Sequence, residues 1–199
     1  MIEINKQNVL KIEDIGFLFK SFYDFADDTV NKVSILPKEE DRLGKIVRVN
    51  EESVPGLMDS VNSYFLKAFE FYSKENNLVF DDYILNNQAH LPFLFWSPGG
   101  SIGSHVDSYQ DEEGRTIETD VSAIIYLTED FEGSNFVFEK EGAEKEKEED
   151  TGPAGFSIVP KKGDLLIFRS NAPHHVNKFI SGNRITVTQA FIKKGKYEF

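Results

Sequence analysis

Four histidines are the side chains of this 199-residue sequence best suited to bind a metal, because the chain contains no cysteine. His105 and Asp107 are separated by one residue in a segment that is predicted to form a strand. Residues i and i+2 of a strand project from the same face, so an imidazole and a carboxylate would point to one place. A third ligand would come from His174 or His175, on another predicted strand.

Two imidazoles and one carboxylate on one face of a metal leave the opposite face of an octahedron open, as a reactive Fe(II) requires. Taken alone, the His105-x-Asp107 pattern is more simply explained by a structural hydrogen-bonded pair. The metal hypothesis therefore depends on the surrounding sequence. His90, the fourth histidine, has no partner within its predicted strand and is expected to be structural or exposed.

Short motifs surround these residues in a defined order along the chain. They are Phe95-Trp96-Ser97-Pro98-Gly99-Gly100 before His105, then Tyr126-Leu127-Thr128, Gly133-Ser134, Phe136-Val137-Phe138, Lys162-Gly163-Asp164-Leu165-Leu166-Ile167-Phe168 before the histidine pair, and Gly182-Asn183-Arg184 after it. In this order the motifs resemble the prolyl-4-hydroxylase-like branch of the Fe(II)/2-oxoglutarate-dependent dioxygenases. The resemblance covers about residues 91–194, which is the catalytic half.

The resemblance implies a metal site formed by His105, Asp107 and a distal histidine. In the family, that histidine is commonly followed by a Val two residues later, a Gly eight later and an Arg or Lys ten later. Counting from His174, the matching residues are Val176, Gly182 and Arg184. Counting from His175 misses each by one, so His174 is the expected ligand. Strand alternation allows one of the two neighbours to face the metal, and a bulge would reverse the choice.

The same resemblance assigns the cosubstrate pocket. Arg184 matches the residue that binds the distal carboxylate of 2-oxoglutarate, and a planar guanidinium can hold a carboxylate by two parallel hydrogen bonds. Tyr126 matches a position whose phenol often helps to hold that carboxylate. Thr186 shares the strand face of Arg184 and is a further candidate for lining the pocket.

The implied activity is hydroxylation of a C–H bond with Fe(II), 2-oxoglutarate and O2, and ascorbate is a further candidate cofactor. The resemblance favours a prolyl residue in a peptide or protein as substrate, while a small molecule such as a free amino acid stays open. Trp96 and Tyr109 are candidates for an apolar wall against the pyrrolidine ring. Residues 108–119 leave directly from Asp107 and are a candidate lid. The chain departs from the family at Thr128, Ser134 and Asn135, which makes the substrate cleft hard to assign.

Two other functions fit the same barrel. One is a non-catalytic jelly-roll module that binds 2-oxoglutarate and metal without turnover. The other is a cupin-type metal enzyme that does not use 2-oxoglutarate. Dependence of turnover on 2-oxoglutarate separates these functions from an oxygenase.

The elements that must position these residues are mainly strands. After residue 77, short runs of β-branched and aromatic residues broken by Gly, Pro and Asn predict an antiparallel sandwich or barrel, and the resemblance implies a double-stranded β-helix (jelly roll). The predicted strands span residues 78–85, 91–96, 104–107, 120–127, 135–138, 156–159, 164–168, 174–179 and 184–192. The charged segment 139–150 predicts a solvated loop.

The part before residue 78 predicts a helical support region. Apolar residues at steps of three and four predict amphipathic helices over 15–25 and 54–72, with a charged surface loop over 34–49. The expected architecture is α+β, with N-terminal helices packed on one sheet of a single domain over residues 1–199 (support region 1–77, barrel 78–199).

The composition limits the classes of partner that the protein is expected to bind. Lys plus Arg total 22 and Asp plus Glu total 34, so a net charge of −12 repels phosphate backbones and anionic membranes. The sequence starts without a basic and apolar leader, and no run approaches 18 apolar residues. The expectation is a cytoplasmic protein that binds neither nucleic acid nor membrane.

Overall fold

The computed structural model describes residues 6–20, 23–86, 90–110, 114, 116–140 and 154–196. In these residues the chain is mainly β, with two α-helices and two short 3₁₀ turns (Lys6–Asn8 and Phe80–Asp82). The helices are α1 (Tyr23–Ser34) and α2 (Leu57–Glu75). The strands are β1 (Val9–Ile12), β2 (Gly16–Lys20), β3 (Glu39–Asp41), β4 (Gly44–Val49), β5 (Tyr83–Leu85), β6 (Leu91–Trp96), β7 (Ile102–His105), β8 (Ser108–Gln110), β9 (Thr116–Glu118), β10 (Val121–Tyr126), β11 (Phe131–Gly133), β12 (Phe136–Glu139), β13 (Ala154–Ile158), β14 (Asp164–Arg169), β15 (His174–Val176), β16 (Phe179–Gly182) and β17 (Ile185–Lys193).

Two sheets make up most of the fold. The larger has nine strands in the order β1-β2-β14-β10-β17-β6-β4-β3, with β5 beside β17. The smaller has four strands in the order β13-β12-β15-β7. Two further pairs, β11–β16 and β8–β9, lie outside them. Every strand pairing in the described residues is antiparallel, as the strand pattern predicted.

Helix α2 packs its apolar stripe on one face of the nine-stranded sheet. The stripe's buried apolar side chains are Leu57, Val61, Phe65, Ala68, Phe69 and Tyr72. They recur at steps of three and four, as predicted. Phe69 stacks on Phe191 of β17 with ring centroids 4.1 Å apart. The helix begins at Leu57, after Gly56, whose left-handed φ of 74° does not belong to a right-handed helix.

The opposite face of the nine-stranded sheet packs on the four-stranded sheet. Strand β14 shows the division, because Leu165 and Ile167 join the core under the helices while Leu166 and Phe168 join the core between the sheets. The sheet is therefore buried on both faces along its centre. The candidate site lies in the second of these cores.

The prediction of one helix over residues 15–25 is wrong. Gly16–Lys20 is strand β2, which pairs with β14 so that Phe17 lies opposite Ile167, and α1 begins at Tyr23. Gly16 through Phe19 are all buried. A short apolar run that is buried on both faces has no polar side, so periodicity does not separate it from a helical stripe.

The prediction of a surface loop over residues 34–49 is also wrong. Strands β3 and β4 occupy most of it, and β4 pairs with β6 over six residues from Gly44–Trp96 to Val49–Leu91. Lys45 and Arg48 are exposed while Val47 and Val49 are buried. The charged residues therefore belong to the exposed side of a strand and not to a loop.

Other predicted strands are present in the structure, but their first or last residues differ from the predicted ones. The 78–85 segment is a strand from Tyr83 onward, after a 3₁₀ turn, and the 174–179 segment is divided between β15 and β16. In the described residues, no helix has the length and apolar character needed to cross a membrane. Most of the charged segment 139–150 lies outside the described residues.

Candidate metal centre and cosubstrate cavity

Three side chains from two distant parts of the chain meet at one point. His105 ends β7, Asp107 follows two residues later, and His174 begins β15 with its Cα paired to that of His105. Nε2 of His105 lies 3.3 Å from Oδ1 of Asp107, and Nε2 of His174 lies 3.5 Å from the same oxygen. One ligand atom from each of the three residues lies within 4.8 Å of the others. We call these residues the metal group.

The two imidazoles have their other ring nitrogens fixed. Nδ1 of His105 lies 2.9 Å from the carbonyl oxygen of Gly103, and Nδ1 of His174 lies 2.9 Å from that of Ala172. A carbonyl oxygen accepts hydrogen bonds and does not donate them, so each Nδ1 is assigned the proton. The Nε2 lone pairs are then directed at the metal group, the arrangement that metal-bound histidines adopt. The residues fit a divalent cation such as Fe(II).

Asp107 lies beyond β7, so strand alternation does not place it. Its backbone N–H donates to Ser170 O at 2.9 Å, and Thr119 Oγ1 donates to its carbonyl oxygen at 3.2 Å. Burial alone would raise the Asp107 pKa, but in the metal-free protein the interactions with the His105 and His174 rings lower it below its usual range. Burial lowers the pKa of His105, but its hydrogen bonds to Asp107 and to the Gly103 carbonyl, together with the charge of Asp107, outweigh burial and raise the pKa. The carboxylate is therefore held in its charged form.

The structure puts His174 in the metal group and His175 on the opposite face of β15. The His174 side chain is almost fully buried and stacks on Phe136 with ring centroids 4.8 Å apart. Nδ1 of His175 lies 2.9 Å from Glu139 Oε1. This is the alternation expected of neighbours on a strand.

A cavity of about 390 Å³ opens beside the metal group, between the two sheets. Arg184, Trp96 and Thr186 line it together with His105, Asp107 and His174. Its lining also includes Ile46, Leu94, Ile102, Ile124, Phe136 and Val176. A mostly apolar cleft with a few convergent polar groups is the usual form of a small-molecule site.

Arg184 is a buried cation with unsatisfied donors. Its residue is 2% exposed, and its Nε and Nη1 have no hydrogen-bond partner in the described part of the chain. Burial lowers its pKa to about 10, although the nearby Tyr126 acts in the opposite direction. Buried charges are normally paired, so this guanidinium is suited to an anionic ligand in the cavity.

Trp96 and Thr186 lie at the same end of the cavity. The Arg184 Cζ atom is 3.8 Å from the centroid of the Trp96 ring, and Trp96 Nε1 donates to Thr186 Oγ1 at 3.1 Å. A cation over an indole face is stabilised electrostatically, and the hydrogen bond fixes the ring. Trp96 therefore contacts the predicted cosubstrate end of the cavity, and its predicted role as a wall for substrate stays a prediction.

Tyr126 is buried close to Arg184. Its ring centroid is 5.6 Å from Arg184 Cζ, and its hydroxyl has no hydrogen-bond partner in the described residues. Burial raises its pKa to about 12, with the guanidinium opposing the rise. Tyr126 stays neutral at physiological pH and has a free hydroxyl to donate.

The predicted lid falls partly outside the described residues. Its described parts include β8 and β9, which form an antiparallel pair, and Ser108 and Thr119, which line the cavity. Residues 111–113 and 115 lie outside the description, as does the side chain of Tyr109. His90 lies outside the metal group and contacts Arg48, with His90 Nε2 3.0 Å from Nη1.

Sequence reasoning missed two contributions to the site. The turn from Asp41 to Leu43, between β3 and β4, lines the cavity. The exposed and buried alternation of β4 was a signal that would have revealed this strand. Glu139 contacts His175 from a separate strand, and no local pattern predicts such a pair.

Comparisons with known proteins agree with this geometry. A sequence profile of the 2OG-Fe(II) oxygenase superfamily matches residues 91–192, about half of the chain, including the metal group and Arg184. A PKHD-type hydroxylase of Colwellia psychrerythraea is 31% identical over 101 residues, which are 49% of this chain and 40% of that protein. The match thus spans less than half of the relative's length.

Solved structures share the fold at low sequence identity. The viral collagen prolyl hydroxylase of Paramecium Bursaria Chlorella virus-1, in complex with 2OG, aligns with a TM-score of 0.61 at 17% identity, covering 87% of this chain and 93% of that one. A Pseudomonas putida prolyl-4-hydroxylase aligns at 0.59 and 21% identity, covering 89% and 92%. HygX from Streptomyces hygroscopicus, with nickel and 2-oxoglutarate bound, aligns at 0.59 and 12% identity, covering 92% and 85%.

Proposed function

This chain belongs to the 2OG-Fe(II) oxygenase superfamily, and we propose that it hydroxylates a C–H bond of a prolyl residue in a peptide or protein. The cofactors of this proposal are Fe(II), 2-oxoglutarate and O2, with ascorbate as a supporting reductant. The proposal includes a single oxygenase domain over residues 1–199 whose two main sheets form a double-stranded β-helix.

The observation that carries the proposal is the shared cavity of the metal group and Arg184. A three-ligand group suits a metal with open positions, and an unsatisfied buried guanidinium suits a carboxylate. 2-Oxoglutarate carries a chelating keto acid at one end and a carboxylate at the other. One short dianion therefore matches both features.

Each residue has a distinct task in this proposal. His105, Asp107 and His174 would hold Fe(II), which together with bound 2-oxoglutarate supplies oxidation of a C–H bond by O2, yielding succinate and carbon dioxide. Arg184 would bind the distal carboxylate, with Trp96 orienting the guanidinium from its face and Tyr126 donating from its free hydroxyl.

The apolar side chains of the cavity have a complementary task. Ile46, Leu94 and Ile102 form part of its lining and would limit the access of water. Excluding water protects a reactive centre from side reactions and strengthens the ionic contact of Arg184.

A prolyl substrate is supported by the names of similar proteins. The Colwellia relative is a hydroxylase, and two of the structures that share the fold are prolyl hydroxylases. The net charge of −12 favours a neutral or basic polypeptide over nucleic acid or an anionic membrane. A free amino acid is the second candidate substrate, since the cavity of about 390 Å³ is of small-molecule size.

To test this proposal, the protein is loaded anaerobically with Fe(II) and 2-oxoglutarate. It is then exposed to O2 in the presence of prolyl peptides or free amino acids as candidate substrates. We expect release of succinate and a mass gain of one oxygen on a prolyl peptide, with and without added ascorbate. Asp107→Ala should lose both products, whereas Asp81→Ala, which removes an exposed acid of a 3₁₀ turn, should keep them.

Three results would contradict the proposal in different ways. Equal turnover by Asp107→Ala would refute the metal ligands. Turnover without 2-oxoglutarate would favour a cupin-type enzyme, and tight 2-oxoglutarate binding without succinate would favour a non-catalytic module. Oxidation of amino acids but not of peptides would change the proposed substrate to a free amino acid and leave the proposed oxygenase activity intact.

A further inference from the structure

A second cluster lies behind the metal group, on the opposite face of the four-stranded sheet. Glu139, the last residue of β12, has Oε1 2.9 Å from Nδ1 of His175, and its Oε2 accepts a hydrogen bond from Ser104 Oγ at 2.8 Å. The side chains of His175 and Glu139 are only 7% and 6% exposed. We call Ser104, Glu139 and His175 the outer clamp.

We propose that Glu139 is a positioning residue that sets the separation of His105 and His174 through the outer clamp. The inference rests on the proposed function, because it concerns the geometry of the same metal group. Glu139, Ser104 and His175 all lie outside that group. The clamp acts through the two strands that carry the histidine ligands.

The strand that most needs this support is β7, which carries His105. In the order β13-β12-β15-β7 it is the edge strand, and its one pairing in the described residues is with β15. It has four residues, and its register against β15 shifts between His174 and Val176. An irregular ladder on a short edge strand fixes its position less firmly than a regular one.

Glu139 connects strands that are not neighbours. Strand β15 lies between β12 and β7, so the Glu139 carboxylate spans the middle strand to reach Ser104. Ser104 precedes His105, and His175 follows His174. Because side chains alternate along a strand, a contact on this face fixes the backbone of residues whose neighbours face the metal.

Because the outer clamp is charged and buried, the loss of one of its hydrogen bonds should affect the position of the strands that it connects. A hydrogen bond to an ionised carboxylate is about twice as strong as a neutral one. Removing the Ser104 hydroxyl takes one hydrogen-bond donor from the buried Glu139 carboxylate. Loss of the Ser104 hydroxyl should therefore loosen β7 without removing any metal ligand.

The test measures metal binding instead of turnover. Co(II) is titrated into the full chain under competition with a chelator, and its visible absorption reports the ligand geometry. Ser104→Ala should raise the Co(II) Kd by about tenfold, the lower end of the effect found for groups that orient metal ligands, and should change the absorption bands. Glu139→Gln, which disturbs both arms, should raise the Kd at least as far.

Two further variants separate positioning from general stability. Ser104→Thr keeps a hydroxyl on a strand and should restore the parent Kd. Ser181→Ala is the matched control, because Ser181 Oγ also donates to a glutamate, Glu132, at 3.4 Å on the separate β11–β16 pair. Its Kd should equal that of the parent, and its metal-free melting temperature should fall less than that of Ser104→Ala, because the Ser104 hydrogen bond is part-buried and the Ser181 one is exposed.

The possible failures are distinguishable. A Kd for Ser104→Ala within about twofold of the parent, against the tenfold expected, would overturn the clamp and leave the metal site intact. A Kd that Ser104→Thr does not restore would likewise overturn it. A parent chain whose Co(II) binding is the same as that of Asp107→Ala would overturn the proposed function together with the clamp.

Discussion

At the residue scale, Arg184 is suited to bind an anionic ligand, but its buried charge, unpaired within the described residues, destabilises the ligand-free protein. Its guanidinium is buried among Trp96, Tyr126 and Phe131, with two nitrogens unsatisfied. An uncompensated buried charge is destabilising, and cation–π contacts recover part of the loss. The pairing charge is expected from the cosubstrate.

Replacing Arg184 should therefore abolish the response to 2-oxoglutarate without lowering the stability of the metal-free protein. Arg184→Met keeps an apolar stem and removes the unpaired charge, so the metal-free melting temperature should be unchanged or higher. The additional stabilisation that saturating 2-oxoglutarate gives in the presence of Mn(II), about 2.7 kcal/mol at a hundredfold excess over Kd, should disappear, while the stabilisation by Mn(II) alone should remain. Thermal unfolding with and without ligand measures both effects.

Arg48→Met is the control for this prediction. Arg48 is an exposed arginine paired with Glu39 at 3.2 Å, away from the cavity lining. Its loss should leave the 2-oxoglutarate response unchanged. A marked fall in the metal-free stability of Arg184→Met would show that Arg184 has a structural counter-charge.

The metal group should give the metal-free protein a recognisable pH dependence. Burial lowers the pKa of His105, but in the folded chain its hydrogen bonds to Asp107 and the Gly103 carbonyl and the charge of Asp107 together raise it. A raised folded pKa contributes stability that is fully present below the unfolded value of about 6.5 and is lost as pH rises through the folded pKa. The metal-free chain should be more stable at pH 6 than at pH 8.

Denaturant unfolding at the two pH values tests this expectation, with Asp107→Asn as the comparison. The variant should lose most of the difference, because its neutral amide does not stabilise an imidazolium. Bound Co(II) should reverse the trend, since it requires a neutral imidazole. An unchanged pH dependence in Asp107→Asn would contradict the assignment.

At the element scale, β2 is the clearest case of tertiary contacts overriding a local pattern. A Cβ added at Gly16 would lie 2.2 Å from the carbonyl oxygen of Ile167, on the neighbouring strand β14. The glycine therefore permits close approach of the two strands. In a helix, the same position would tolerate alanine.

Gly16→Ala distinguishes the two structures by the sign of its effect. In a helix interior the change would stabilise the protein by about 1 kcal/mol. In the observed strand it should destabilise it by roughly 1–3 kcal/mol, as overpacking does. Chemical denaturation provides the measurement.

Gly155→Ala in β13 is the matched strand control for Gly16→Ala. Its added Cβ would lie 3.3 Å from the nearest heavy atom, Phe138 O, so a smaller loss is expected. A stabilising Gly16→Ala would contradict the pairing of β2 with β14.

At the scale of the whole molecule, the candidate site joins the two sheets. His105 and His174 belong to β7 and β15 of the four-stranded sheet, whereas Arg184 immediately precedes β17 of the nine-stranded sheet. A ligand that contacts the metal and Arg184 together would link both sheets. Stability and ligand binding are then coupled across the cavity.

Metal and 2-oxoglutarate should therefore stabilise the chain cooperatively. The increase in melting temperature with Mn(II) and 2-oxoglutarate together should exceed the sum of the separate increases, because each ligand raises the affinity for the other. Differential scanning calorimetry under anaerobic conditions measures it. Glutarate, which lacks the keto group, is the control and should give no such excess. Additive increases for 2-oxoglutarate would contradict a shared site.

The sequence by itself determined the residues with chemical potential and the broad class of the fold. Motif order pointed to His105, Asp107, His174 and Arg184 because the required spacings are local, and strand and α2 patterns are local as well. Tertiary structure alone decided that β2 is a strand, that β4 belongs to the large sheet, and that Asp107 is held by Ser170 from a distant strand end. It also decided the contact of Glu139 with Ser104 and His175. These features depend on strands brought together from distant segments, and their energies come from burial and pairing that no short window of sequence contains.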